Sequence, residues 1–173
     1  KKRYCFRHLF EKPEILEWEK FWLQRNKDLD KEIYGLVKWV NPNLSFGLNV
    51  WNRNHFNLIR KIQWPWREQV EYSDWVKPIT YQHQSGEIFQ REIDIFGKTI
   101  LDDLSGSELT RVFAKILGIN ETSLENLTKR GLDPDTYIYT QCKDAVRGVD
   151  GGSKVYMGIG IDATITATDN INM

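Results

Sequence analysis

The chain has 173 residues, with 24 Lys and Arg balanced by 24 Asp and Glu, so its formal net charge is zero. That length suits one domain, residues 1–173, with a core of its own, and the even charge removes the electrostatic case for nucleic acid or an anionic membrane as partner. No apolar run is long enough to span a bilayer and no signal peptide is visible.

In chain order, KPEILEWEKFWLQRNKDLDKEIYGLVKWVNP, residues 12–42, carries Ile15, Trp18, Trp22, Leu29, Ile33, Leu36 and Val37 at helical spacing. Pro13 suits its first turn, and the NPN triplet that starts at Asn41 stops it. LSFGLNVW, 44–51, is a short apolar run between turn residues and predicts a strand. Residues 52–73 predict a loop with a short helix broken by Pro65. DWVKPITY, 74–81, predicts a second strand, with Pro78 lacking a ladder donor.

Residues 82–104 then predict a long connection. SGSELTRVFAKILGI, 105–119, is a helix with a Ser cap, Glu108 in its first turn and Gly118 at its close. DPDTYIYTQCKDAVRGV, 133–149, is another, capped by Asp133, opened by Pro134 and ended by Gly148. KVYMGIGID, 154–162, predicts the third strand.

Strands alternating with helices are the rhythm of β/α units around a parallel sheet, and apolar strands suit a sheet covered on both faces. The fold class is therefore α/β. Three such strands are few for this length, and they point to part of a larger array. The opening KKRYCFRH has neither an initiating Met nor an export-type apolar stretch, so the true start is expected upstream. The compartment stays open, secreted or periplasmic if an upstream segment carries a signal.

Of seven tryptophans, Trp18, Trp22 and Trp39 fall in the helical pattern and predict core packing. Trp51, Trp64, Trp66 and Trp75 lie at or between strands, where an indole can pack or stack on a flat ligand face. Cys5 and Cys142 fit no metal spacing and read as unpaired thiols. Sequons at Asn43, Asn120 and Asn126 bear on a secreted eukaryotic chain only. No phosphate loop, dinucleotide fingerprint or metal motif occurs, so no cofactor and no metal is expected.

KPEILEWEKFW, NPNLSFGLNVWNRNHFN, YSDWVKPITYQHQSGE and GLDPDTYIYTQCKDAVRGV leading into KVYMGIGID together resemble a bacterial beta-galactosidase-like family of glycoside hydrolases. The match extends over most of the chain. The resemblance implies a TIM-type (β/α)8 barrel of which these strands are the fifth, sixth and seventh, with four before Lys1 and the eighth after Met173. It implies a carbohydrate substrate and hydrolysis of O-glycosidic bonds. Many related sugar hydrolases place the acid/base carboxylate after the fourth strand, so that group is expected outside this sequence.

Glycoside hydrolysis needs two carboxyl groups. Asp162, at the end of the third predicted strand, and Glu87, past YQHQSG, are the catalytic candidates. Their plainer readings are a turn cap and a solvated loop acid. Asp74 begins its strand, faces the wrong end and reads as structural. Trp51, Asn52, Asn54 and His55 gather a flat ring, amides and an imidazole on one strand-end loop, suited to sugar hydroxyls or to closing the loop. Lys77 in an apolar strand requires a partner, and Tyr81 and His83 alternate onto its face. The substrate-binding candidates are thus Trp51, Asn52, His55, Lys77, Tyr81 and His83. A non-catalytic carbohydrate-binding or assembly fragment is the alternative, and open sheet edges predict association with other chains.

Overall fold

A computed structural model of the chain describes residues 11–99, 101–120, 127 and 131–160. The first expected helix is α1, Glu14–Val40, with Glu14 and Glu17 in its first turn and Lys38 in its last, each complementing the helix dipole. Asn41 donates its N–H to the Val37 carbonyl, and Pro42 follows. The polarity of this helix is inverted. Its inner face is fastened by lysines: Lys27 to Glu68 at 2.6 Å, Lys31 to Glu71 at 3.6 Å and Lys38 to Asp74 at 2.7 Å. Trp18, Trp22, Leu29, Ile33, Leu36 and Val40, at spacings of one or two turns, form an exposed outer stripe. The expectation that Trp18, Trp22 and Trp39 pack in the core is therefore corrected, since all three are exposed. Helical spacing establishes that residues share a face, not what covers that face.

Strand β1, Gly47–Val50, leads into three short helices: α2 (Asn52–Phe56), α3 (Leu58–Gln63) and α4 (Trp66–Gln69). The expected loop is thus mostly helical, broken at Pro65 as its sequence requires. A 3-10 turn, Val70–Tyr72, then delivers β2, Trp75–Pro78. The third strand, β3, is Lys154–Val155, continued by a single bridge between Ile79 and Gly158. Its regular pairing stops at Val155, although Tyr156 and Gly158 still donate their N–H groups to the Val76 and Pro78 carbonyls, and residues 161 and 162 of the expected strand lie outside the described residues.

All pairing is parallel, in the order β1-β2-β3, with Asn49 opposite Lys77 and Val76 opposite Val155. The chain is α/β. One face of the sheet is covered: Leu48, Val50, Val76 and Pro78 are buried, whereas Asn49 on the other face is exposed and Trp75 and Lys77 are half-buried. The expectation of two covered faces fails for that reason. The Phe46 and Val50 carbonyls accept from Asp74 and Ile79, so strand alternation turns the Gly47 and Asn49 peptide groups to the far edge. No strand pairs with that edge among the described residues.

The stretch expected as a long connection is helix α5, Gln82–Lys98. Phe89, Ile93 and Phe96 lie on one side of it and enter the main core with Phe56, Leu109, Phe113, Leu117 and Tyr137. The burial gained by that side outweighs the cost of Gly86 and Gly97 in a helix interior. Gly86 is also required, because a Cβ there would run into the Leu127 carbonyl.

Helix α6, Gly106–Leu117, has the expected Ser105–Glu108 capping box and ends at Gly118 with φ +68°. Helix α7, Pro134–Val149, begins at the Asp133 cap but runs past Gly148 and closes on Asp150 at φ +46°. Gly148 lies inside it because a Cβ would meet Trp66 Cβ at 2.5 Å.

Candidate functional site

The carboxyl ends of parallel strands are where such sheets gather ligands, because loops there bring unlike side chains together. Asn49 and Lys77 stand opposite one another on the open face. Tyr81 caps the start of α5 rather than ending a strand. Its ring nevertheless joins Lys77: a Cβ at Gly158 would lie 3.2 Å from Lys77 Cε and 3.4 Å from Tyr81 Cε1. Gly158 is held there by its N–H to the Pro78 carbonyl and by its own carbonyl, which accepts from Thr80 N–H and, at 2.9 Å, from Thr80 Oγ1. The Gly-x-Gly of this segment thus permits close packing, as its place in a strand suggests. Trp75 meets Tyr156 edge-on at 5.9 Å, and Tyr156 is exposed. No ion pair to Lys77 occurs among the described residues.

Trp51 follows β1 directly and is 64% exposed. It lines a groove of about 550 Å³ along the open edge of β1, shared with Trp22, Asn26 and Asp30 from α1 and with Trp64. Burial pushes the Asp30 carboxyl above its ordinary value. Arg60 lies 5.5 Å from the Trp22 ring centre, and Trp64 donates its indole N–H to Tyr72 Oη at 2.8 Å.

The other predicted residues separate from this face. Asn52 is buried and donates to Ser85 Oγ at 3.2 Å, which donates to Tyr137 Oη at 3.1 Å, so it ties α2 to α5 and α7. His55 is 4% exposed and lies in the helical layer, its ring 5.6 Å from that of Trp66. Burial and the Lys61 charge push its imidazole down to about 3, against the opposing influence of Asp144. The expected convergence of His55 with Trp51, Lys77 and Tyr81 is corrected, because α2 turns His55 towards α4 and α7.

Glu87 is exposed on α5, in a helix rather than a loop, and no hydrogen bond or ion pair to its carboxylate occurs among the described residues. The side chain of His83, in the first turn of α5, and all of Asp162 lie outside the described residues. Asp74 is structural as expected, accepting from Phe46 N–H and Lys38 Nζ, both at 2.7 Å. Among the described residues no His, Cys, Asp and Glu group is arranged to hold a metal ion, and no helix is long and apolar enough to cross a membrane.

Asn49, Tyr156 and Trp22 were not legible as site residues. Asn49 had a signal, a polar residue in an otherwise apolar strand two places before Trp51. No family model, no curated protein and no solved structure matches the chain.

Proposed function

We propose that this chain forms three consecutive β/α units of a carbohydrate-active (β/α)8 barrel of glycoside hydrolase type, and that sugar binds at the carboxyl end of its open sheet face. The observation that carries the reading is the pairing of Asn49 with Lys77 on the uncovered face of a parallel sheet, with the Tyr81 ring beside Lys77. An amide, an ammonium and aromatic edges supply the directed donors and the apolar ring surface that a pyranose requires. In a closed barrel that face is the interior, where a half-buried Lys finds a carboxylate or a substrate hydroxyl.

The outward stripe of α1 and the unpaired edge of β1 adjoin one another, since Trp22 and Leu29 line the same groove as Gly47 and Asn49. A further parallel strand along β1, with a helix against the stripe, covers both at once. Catalysis in this reading uses paired carboxylates, with Asp162, which the sequence puts at the end of the predicted third strand, as one and the other outside the chain. A specific observation favours the second reading, a sugar-binding piece without catalysis. Among the described residues no two carboxylates share the open face: Asp74 is committed to Lys38 and Phe46, and Glu87 lies on a helix.

Calorimetric titration of the chain with lactose, alongside hydrolysis of a nitrophenyl β-galactoside, tests both readings. Binding that Lys77→Met weakens about tenfold supports the sugar site, since charge-assisted hydrogen bonds are the strong ones. Hydrolysis selects the enzyme reading, binding alone selects the second, and no binding removes the site.

A further inference from the structure

A second cavity, of about 350 Å³, lies in the helical layer between α2, α4 and α7. Two buried side chains are among its lining residues, His55 and Gln69, at 4% and 3% exposure, and both ring nitrogens of His55 and Oε1 of Gln69 have no partner. Neither satisfies the other. Gln69 spends its amide N–H on the Trp64 carbonyl at 3.3 Å and leaves its acceptor for the cavity. A neutral imidazole presents one N–H and one lone pair, so the two residues together ask for two donors and one acceptor. Leaving such groups unsatisfied is costly, and it is relieved by a partner that fits them.

The remaining walls carry charge. Lys61, Arg67 and Arg147 are cationic, and the one carboxylate, Asp144, is paired with Lys61 at 2.6 Å. Two cations are therefore left over for an anion, and Arg147, in the last turn of α7, is exposed. The Trp66 ring supplies a flat apolar wall beside His55.

We propose that this cavity binds a small hydroxylated oxyanion, a sugar phosphate or a sugar acid, with hydroxyls on His55 and Gln69 and the anionic group towards Arg67 and Arg147. Hydroxyls supply the donors that Gln69 Oε1 and the free imidazole nitrogen need, and an oxygen accepts the His55 N–H. The volume suits a monosaccharide derivative and greatly exceeds that of a bare phosphate. This site shares Val50, Asn54, Trp64 and Gln69 with the groove at Trp51 but is not lined by Asn49 or Trp51, and it stands whether or not the open sheet face binds sugar.

The test is a titration of the 173-residue chain, labelled at its histidine ring nitrogens, with glucose 6-phosphate, gluconate, glucose and inorganic phosphate. The expected result is a shift of both His55 nitrogens with glucose 6-phosphate or gluconate, the stronger of the two naming the anionic group. Glucose and inorganic phosphate, each carrying half the recognition, bind about tenfold more weakly or worse. Arg147→Gln, at an exposed position that leaves the core intact, weakens the anionic sugars about tenfold and leaves glucose unchanged. Silence of the His55 ring up to about 10 mM of both anionic sugars, or an equal response to inorganic phosphate, overturns the proposal.

Discussion

The side chains of Lys77 and Tyr81 flank the same glycine, Gly158, where a Cβ would press on Lys77 Cε at 3.2 Å and touch Tyr81 Cε1 at 3.4 Å. The tightest neighbour of such a Cβ is backbone, the Pro78 carbonyl oxygen at 3.1 Å, and backbone yields less readily than a Lys tip. Gly158→Ala is therefore expected to cost about 1 kcal/mol and to move Lys77 and Tyr81 apart. Thermal melting reads the first effect and lactose affinity the second. An unchanged melting point with unchanged affinity would show that the three groups are not in contact.

Asp74 ties α1 to the start of the sheet. Burial opposes its charge, but bonds from Lys38 and Phe46 N–H, with the Lys38 charge, hold its carboxyl below the ordinary Asp value. A depressed carboxyl contributes stability above its unfolded value, near 3.9, and loses it as pH falls through the folded value. The pair is partly solvent-screened, so Asp74→Asn should cost about 0.5–1 kcal/mol at neutral pH. The difference from the parent should vanish in acid, once the pH lies below the folded value of Asp74. Denaturant melts at both pH values check this, and a difference that persists in acid would assign the loss to packing.

His55 acts in the same direction but over a higher pH range. Its folded value of about 3 lies below the ordinary 6.5, so between those values the unfolded chain binds a proton that the native chain refuses. Stability should fall as pH drops through that range, by roughly 1.4 kcal/mol per unit at most. From pH 6.5 to 5, His55→Phe, which cannot be protonated there, should lose about 1.6 kcal/mol less than the parent. Equal losses would mean that the native imidazole takes up its proton as readily as the unfolded one.

What the residues announced was what local chemistry decides. Ser105 with Glu108, and Asp133 with Pro134, marked helix starts because a cap answers only to its own first turn. The apolar strands announced a parallel sheet. Helix α5 was hidden by Gly86 and Gly97, whose reasons are distant: Leu127 against one, and Leu109 at 2.9 Å from a Cβ on the other. The direction of α1 was hidden because its lysines, ordinarily the solvent face, find acids on the 3-10 turn and at the edge of β2. Trp51 and Lys77 were legible as a strand-end ring and an out-of-place charge. Tyr81 stands beside Lys77 although it lies at a helix cap, whereas Asn52 and His55 were drawn into the helical layer by Ser85 and Trp66.

The α1 stripe predicts association. Six apolar side chains over six turns form an exposed band beside an unpaired strand edge, larger than isolated chains ordinarily show. Sedimentation should give a concentration-dependent molecular mass. Leu36→Glu, at an exposed position, should shift the balance towards monomer with a stability change within about 0.5 kcal/mol. A monomer at every concentration would mean that the stripe is not a contact surface.

The most direct measurement of the central claim is the spectrum of the seven indole N–H groups during a lactose titration. Binding at the carboxyl end of the open sheet face predicts that the Trp51 signal moves with a dissociation constant on the order of millimolar, and that Lys77→Met raises that constant about tenfold. The Trp39 signal, on the far end of α1, should stay still. A Trp51 signal unmoved at saturating sugar, or one that moves equally in Lys77→Met, would contradict a sugar site on that face.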